Sequence, residues 1–143
     1  WEEKLSSFLR DLSNNFINSK IMALGKNAFK FLEKYNFKCY EYFNYCDFNS
    51  LHYLYQMSDL YIGSIGYSMW ERCAMRLPSF LIPIAENQIE YLKVALDLKI
   101  GMSVDYIFSD KKSFFEQLDF MRDNCNRLEF TMKGYQELFL QYD

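Results

Sequence analysis

The segment Asp59–Gln88 constrains the fold more than any other part of this chain. It begins with an apolar run, turns at Gly63-Ser-Ile-Gly66, continues as a helical stretch from Ser68, and returns to a second apolar run that ends at Pro83. This order predicts a strand, a glycine turn, a helix and a second strand. In a parallel α/β sheet, the glycine turn and the loop Glu86-Asn-Gln88 both emerge at the carboxyl edge, where such folds bind ligands.

The same alternation continues along the rest of the chain. Apolar or aromatic runs alternate with helical periodicity roughly every 20–25 residues, which is typical of a parallel sheet covered on both faces. We therefore expect an α/β fold with a Rossmann-like, three-layer parallel sheet. Asp47 or Asn49 is placed to cap the helix that carries Leu51 to Met57. The predicted strands are 20–24, 37–43, 59–63, 77–83 and 100–104, and the other predicted helices are 2–16, 27–35, 68–75, 88–98, 113–126 and 127–142.

Length and composition fit one globular domain. The chain has 143 residues, of which 50% are hydrophobic and 20% aromatic, so we expect a single domain over 1–143 with 1–16 as a leading helix. A net charge of −3 argues against a nucleic-acid partner, which usually requires a basic stripe. No apolar run approaches the roughly 18–20 residues of a transmembrane helix. We expect a cytoplasmic fragment of a longer protein.

The cysteines and the histidine do not form a metal motif. The four cysteines are far apart in the sequence, no Cys-x-x-Cys pair occurs, and His52 is the only histidine. Zinc modules place their ligands at short, regular spacings. We therefore expect free thiols in a reducing compartment, with neither a metal nor a cofactor.

The glycine turn has the chemistry of an anion site. The first amides of the helix that begins near Ser68 have no acceptor within their own helix. Small residues at Gly63 and Gly66 allow a ligand to approach those amides, and the helix dipole favours negative charge there. Glu71 follows within the first two turns of the same helix. The pattern predicts a phosphate-binding turn with a carboxylate beside it.

Structural roles are open for the same residues. The glycines could form an ordinary turn of a flavodoxin-like domain, and Glu71 could be a first-turn carboxylate favoured by the helix dipole. Asn87 and Gln88 could cap the helix that follows them. We interpret Arg72 as a surface residue or an ion-pair partner, because on a helical wheel it faces away from the turn if Glu71 faces it.

Several short motifs between residues 47 and 101 are typical of one protein family. They are Ser58-Asp-Leu60, Gly63-Ser-Ile-Gly66, Ser68, Glu71-Arg-Cys-Ala74, Leu77-Pro-Ser79 and Ala85-Glu-Asn-Gln88. Together they resemble the carboxyl-terminal domain of the UDP-sugar hydrolases of pseudaminic acid biosynthesis, within the GT-B glycosyltransferase-like superfamily. The resemblance is strong over somewhat more than a third of the chain, and the strand–helix order extends it further.

This resemblance implies a partner, a ligand and a set of site residues. The chain would be the second Rossmann-like domain of a GT-B protein, would pair with the missing amino-terminal domain of that protein, and would bind UDP or a UDP-sugar. The implied nucleotide-binding residues are Phe43, Asn44 and Tyr45 for uracil, Gly66, Tyr67, Ser68 and Met69 for the diphosphate, Glu71 for the ribose hydroxyls, and Gln88 beside the phosphate and sugar.

The resemblance also implies the reaction. The hydrolases use an activated water to attack the anomeric carbon or its phosphorus, and they release UDP and a free deoxy-diacetamido sugar. Asn87 corresponds to an active-site residue of that family, whereas the main base is a histidine in the other domain, so we assign no catalytic role to His52. Two alternatives keep the fold: a UDP-sugar-dependent glycosyltransferase domain and a non-catalytic binding domain.

Overall fold

The structure, a computed structural model, describes residues 2–16, 18–44 and 47–103, and residues 116, 119, 123, 131, 132, 135 and 136. The chain divides into two compact units, Trp1–His52 and Tyr53–Asp143. Across the described ranges the architecture is mixed α/β, with five helices and five parallel strands. This is compatible with the expected Rossmann-like α/β fold. The described strands form two sheets, one in each unit, where the sequence predicted one.

The first unit is built on a two-stranded parallel sheet. Strands β1 (Ile21–Leu24) and β2 (Cys39–Phe43) are joined by α2 (Lys26–Lys34). The turn into α2 requires glycine, because Gly25 has a φ of 88° and a ψ of 153°, a region that other residues rarely adopt. The predicted leading helix is present as α1 (Glu2–Asn15), which buries Phe8 and Leu9 and half-buries Leu5 and Leu12, so its apolar residues recur at helical spacing.

The second unit is a three-stranded parallel sheet in the order β3-β4-β5. Its elements run as β3 (Tyr61–Ser64), α4 (Ser68–Ala74), β4 (Ser79–Ile82), α5 (Asn87–Asp97) and β5 (Met102–Ser103). Helix α3 (Phe48–Met57) precedes β3. Strand β3 pairs with β4 so that Ser64 lies opposite Ile82. The turn after β3 and the loop after β4 therefore leave the same edge of the sheet at neighbouring positions, as the sequence predicted.

One face of this sheet carries the core beneath α4 and α5. Side chains alternate along a strand, so Tyr61 and Gly63 share a face with their paired residues Ser79 and Leu81. Leu81 is fully buried in a cluster that draws on both helices. Its other members are Ile65, Met69, Cys73, Leu92, Ala95 and Ile100.

Three helices end in the same cap. The residues Asn36, Arg76 and Lys99, which follow α2, α4 and α5, have left-handed φ values of 58°, 57° and 57°. After α4, the Leu77 amide donates to the Arg72 carbonyl and the Arg76 amide donates to the Cys73 carbonyl. This pair of bonds is the Schellman motif, and the same pair recurs after α2 and α5. Each cap turns the chain directly towards its next strand.

The predicted elements occur in the predicted order with shifted ends. Most helices begin or end within one residue of the prediction, whereas the strands are shorter, as in Ser79–Ile82 against the predicted 77–83. The helices predicted for 113–126 and 127–142 lie outside the continuously described residues. Asp47 is the helix cap, since its Oδ1 accepts the Ser50 amide at 2.8 Å, the third residue of α3.

We expect the Asp47 cap to give the chain an acid-sensitive component of stability. The Ser50 amide bond lowers the pKa of Asp47 below its ordinary value of 3.8, so the cap stabilises the fold fully above that value. Its contribution is lost as the pH falls through the lower folded-state pKa. Thermal unfolding of Asp47→Ala should therefore occur below that of the original chain at neutral pH and converge with it in acid. Asp47→Asn, which keeps a neutral cap, is the control; a pH-independent difference would contradict this assignment.

Candidate functional site

The turn between β3 and α4 presents unbonded backbone donors at the carboxyl edge of the second unit's sheet. The Met69 amide donates to the Gly66 carbonyl at 2.9 Å, and the Trp70 amide donates to the Tyr67 carbonyl at 3.2 Å. Within the described part of the chain, the amides of Gly66, Tyr67 and Ser68 donate no hydrogen bond. Three consecutive free amides at this edge are able to bind an anion.

The two glycines of the turn have different roles. A Cβ at Gly63 would lie 2.5 Å from the Tyr61 hydroxyl and 2.8 Å from the ring carbon that carries it, so Gly63 provides space for that ring. In the part of the chain that the structure describes, a Cβ at Gly66 would meet nothing within 4 Å, and the Gly66 backbone is not left-handed. The fold therefore has no steric need for glycine at 66, and the open space beside its amide is available to a ligand.

The side chains of residues 67–71 differ in their exposure to solvent. The Tyr67 side chain is 91% exposed, whereas Met69 is 2% exposed and packs in the core. Ser68 and Glu71 are half-buried and lie one turn apart on the same flank of α4. Helical side chains generally lean towards the amino end of their helix, which is the end of α4 at which Ser68 lies. Since the Met69 amide is also occupied, we leave Met69 out of the proposed site.

The loop after β4 is held by Gln88. Its Oε1 accepts the Ile84 amide at 2.9 Å, which fixes the side chain across the loop and leaves the Nε2 group to donate elsewhere. Asn87 is exposed and is the first residue of α5. The structure places Glu86 at the cap position without a side-chain cap bond, so the interpretation of Asn87 and Gln88 as helix caps is wrong. Asn87 and Gln88 follow β4, the strand that pairs with β3, and β3 ends at the glycine turn.

Arg72 is not the surface residue that the sequence suggested. Its side chain is 1% exposed, beneath α4. Its Nη1 donates to Ser68 Oγ at 2.8 Å, its Nε donates to Ser79 Oγ at 3.3 Å, and its guanidinium carbon lies 3.7 Å from the Tyr61 ring centroid. No carboxylate among the described residues pairs with it. The sequence did contain one signal for this contact. Ser68 lies four positions before Arg72 on the same helix, and residues at that spacing share a face.

The residues predicted to read uracil belong to the first unit. Phe43 ends β2, and its carbonyl accepts the Gly25 amide at 2.8 Å. Asn44 is exposed, and its Oδ1 accepts the Tyr42 hydroxyl at 2.7 Å. Tyr45 lies outside the described residues. The Phe43 carbonyl and the Asn44 amide oxygen thus already take part in local hydrogen bonds, and their role towards a base stays a prediction.

The histidine and the buried cysteine considered in the sequence lie in ordinary structural environments. His52 is half-buried on α3, with its ring 5.2 Å from that of Phe48. Burial raises the pKa of the Cys73 thiol to about 11, as fits a core residue. The described ranges contain no group of three or more histidine, cysteine or acidic side chains suited to a metal ion. No helix in those ranges has both the length and the apolar character needed to cross a bilayer.

Comparison with known proteins found no relative. The chain matches no protein-family model, no curated protein and no solved structure. Any function assigned to the glycine turn and its neighbours therefore depends on the geometry described above and on the motif resemblance.

Proposed function

We propose that this chain is the UDP-binding half of a nucleotide-sugar hydrolase with a three-layer GT-B architecture. The observation that carries the proposal is the set of free amides at Gly66, Tyr67 and Ser68, at the carboxyl edge of a parallel sheet. A diphosphate offers several anionic oxygens to such donors. The motif resemblance to UDP-sugar hydrolases names the nucleotide and the reaction.

In this proposal each described group has a specific task. The free amides bind the diphosphate, and the Ser68 hydroxyl adds a donor beside them. Glu71 accepts hydrogen bonds from the ribose hydroxyls, because it is a half-buried carboxylate one turn from Ser68. Gln88, held by the Ile84 amide, donates through Nε2 to the phosphate or sugar. Asn87 orients the sugar or the attacking water.

The proposed contribution to catalysis is stabilisation of the leaving group. Negative charge builds on the diphosphate as its bond to the sugar breaks, and donors that are already in place stabilise this charge without reorganisation. The base that activates water would come from the missing amino-terminal domain. We therefore expect this chain to bind UDP and to turn over little UDP-sugar by itself.

Calorimetric titration tests the proposal directly. UDP, CMP and GDP are titrated separately into the chain up to about millimolar concentration, a range that detects even weak binding. We expect UDP to bind more tightly than CMP or GDP. Equal binding of all three would leave a general phosphate site and contradict the uridine assignment, and the absence of heat with any of them would contradict the proposal as a whole.

Gly66→Ala should separate ligand binding from folding. The added methyl meets no atom of the described residues within 4 Å, so we expect the thermal unfolding midpoint to stay within a few degrees of that of the unsubstituted chain. The same methyl adjoins a proposed phosphate-binding amide, so we expect UDP affinity to fall at least about tenfold, the loss of one charged hydrogen bond.

Gly63→Ala is the matched control for this substitution. Its methyl would overlap the Tyr61 ring, so it should lower the unfolding midpoint, whereas Gly66→Ala should not. Calorimetry with UDP and thermal unfolding of both variants provide the comparison. Unchanged UDP affinity in Gly66→Ala would place the ligand away from this turn.

A further inference from the structure

The buried arginine of α4 has a polar but incomplete environment. The guanidinium of Arg72 lies on the Tyr61 ring, and two of its nitrogens donate to the hydroxyls of Ser68 and Ser79. Its third nitrogen, Nη2, is buried and has no hydrogen-bond partner among the described residues. Buried polar nitrogens are nearly always bonded. This arrangement keeps a cationic group within hydrogen-bond distance of Ser68, the first residue of α4 after the glycine turn.

The charge of Arg72 is uncompensated in the described part of the chain, since no carboxylate there forms an ion pair with it. Removing a cation from water is unfavourable unless a negative charge or several hydrogen bonds compensate it. The ring of Tyr61 supplies a cation–π contact, which compensates the loss of water only in part. An anionic ligand above the turn would supply the missing counter-charge.

Ser68 connects this charge to the turn. Its Oγ accepts the Arg72 Nη1 proton at 2.8 Å, so its own hydroxyl proton is directed away from the guanidinium. Ser68 is half-buried and its backbone amide is one of the three free donors. A hydroxyl that accepts from a cation is polarised, and it donates a stronger hydrogen bond to an anion.

We infer that Arg72 is a positioning residue that acts through Ser68, holding its hydroxyl as a donor towards a ligand phosphate and supplying the positive charge behind it. This inference rests on the proposed function for its ligand, a nucleoside diphosphate. Arg72 itself does not touch the ligand. Ser79, which begins β4, holds the other end of the guanidinium and through its own hydroxyl donates to the Leu77 carbonyl at 3.1 Å.

The test compares substitutions that remove the charge, the hydroxyl or the remote contact. Arg72→Gln removes the charge, Arg72→Lys retains it, Ser68→Ala removes the proposed donor, and Ser79→Ala removes the contact at the amino end of β4. Each variant is titrated with UDP, with inorganic pyrophosphate and with uridine, and binding is followed by two-dimensional NMR, which measures weak affinities. Thermal unfolding of each variant shows whether it folds.

We expect Arg72→Gln and Ser68→Ala each to weaken UDP and pyrophosphate binding about tenfold, the size of one charged hydrogen bond. Uridine affinity should not change, because the effect acts on the phosphate alone. Arg72→Lys and Ser79→Ala should keep most of the affinity. The double variant with both Arg72→Gln and Ser68→Ala should lose less UDP affinity than the two single losses combined, because either substitution alone already removes the hydrogen bond that passes through Ser68.

Each contrary outcome has a definite meaning. Three results would overturn the role of Arg72 while leaving the UDP site in place. They are unchanged UDP affinity in a folded Arg72→Gln variant, equal losses of affinity for UDP and uridine in that variant, and additive losses of UDP affinity in the double variant. If neither Arg72 variant folds, the comparison of Ser68→Ala with Ser79→Ala decides, and equal effects overturn the inference. Binding of pyrophosphate that depends on Arg72, without binding of UDP, would overturn the proposed function alone. Binding of neither ligand would overturn both.

Discussion

Replacing Leu81 by alanine should lower the free energy of unfolding by about 3 kcal/mol, the usual range for a leucine in a packed core being roughly 2–5 kcal/mol. Leu81 has 0% exposure and contacts the core residues of α4 and α5. Its Cδ1 lies 2.6 Å from the position that a Cβ on Gly101 would occupy, so the backbone before β5 lines the space that the truncation leaves. Because backbone cannot collapse into a cavity as a side chain does, we expect most of the loss to remain. Urea-induced unfolding, followed by circular dichroism, measures it.

Leu96→Ala provides a leucine control in the same unit. Leu96 lies on α5 but is exposed, so its truncation should change stability by roughly 0.5 kcal/mol or less. If the two leucine variants unfolded at the same urea concentration, the packing of α4 and α5 on the Leu81 face of the sheet would be contradicted. That result would also remove the support for the glycine turn.

Replacing Glu71 by alanine should weaken UDP binding by about tenfold to a hundredfold. In the proposed function its carboxylate accepts hydrogen bonds from the ribose, and hydrogen bonds to charged groups contribute roughly 1.5–3 kcal/mol each. Glu71 is half-buried on the flank of α4 that carries Ser68, where a carboxylate is less screened than at a fully exposed position. Calorimetric titration with UDP measures the change, and thermal unfolding verifies that the variant is folded.

The ligand supplies a second test of Glu71. A UDP analogue without the 2′ and 3′ hydroxyls should bind the original chain and Glu71→Ala with similar affinity, because the interaction is missing in both. Glu90→Ala, which removes an exposed glutamate of α5, is the matched control and should bind UDP normally. Should Glu71→Ala weaken both ligands to the same extent, Glu71 would act on the phosphates or on the fold and not on the ribose.

The mixed α/β character and the order of the described elements could be predicted because the local sequence signals are strong in this chain. The apolar spacing of α1, the glycine turn after β3 and the Asp47 cap are each determined by residues close together in the sequence. Strand ends were predicted less well, since pairing with a neighbouring strand defines them and the sequence does not state that neighbour. The division of the strands into two sheets could not be predicted for the same reason.

The sequence indicated where the residues of the glycine turn and of its helix would lie, but it did not indicate that Arg72 would be buried. A turn amide and a helical carboxylate follow from local sequence, so the positions of Gly66, Ser68 and the half-buried Glu71 could be predicted. The burial of Arg72 could not be predicted, because it depends on Tyr61 and Ser79, which lie 11 and 7 positions away and meet Arg72 only after β3 and β4 pair. A charged side chain is expected at the surface by default, and only tertiary packing reverses that expectation.

The left-handed residues after α2, α4 and α5 have a consequence for engineering. Glycine adopts this conformation without cost, whereas a residue with a Cβ loses roughly 1 kcal/mol there. Asparagine tolerates it better than arginine or lysine, so Arg76 and Lys99 are the costly positions. Both follow the last turn of their helices, opposite the ends that face the glycine turn and the Gln88 loop. Lys99→Gly should therefore raise the unfolding temperature without altering the residues proposed to bind nucleotide, whereas Arg76→Gly would also remove the contact of the Arg76 guanidinium with the Tyr135 ring, 4.9 Å from its centroid.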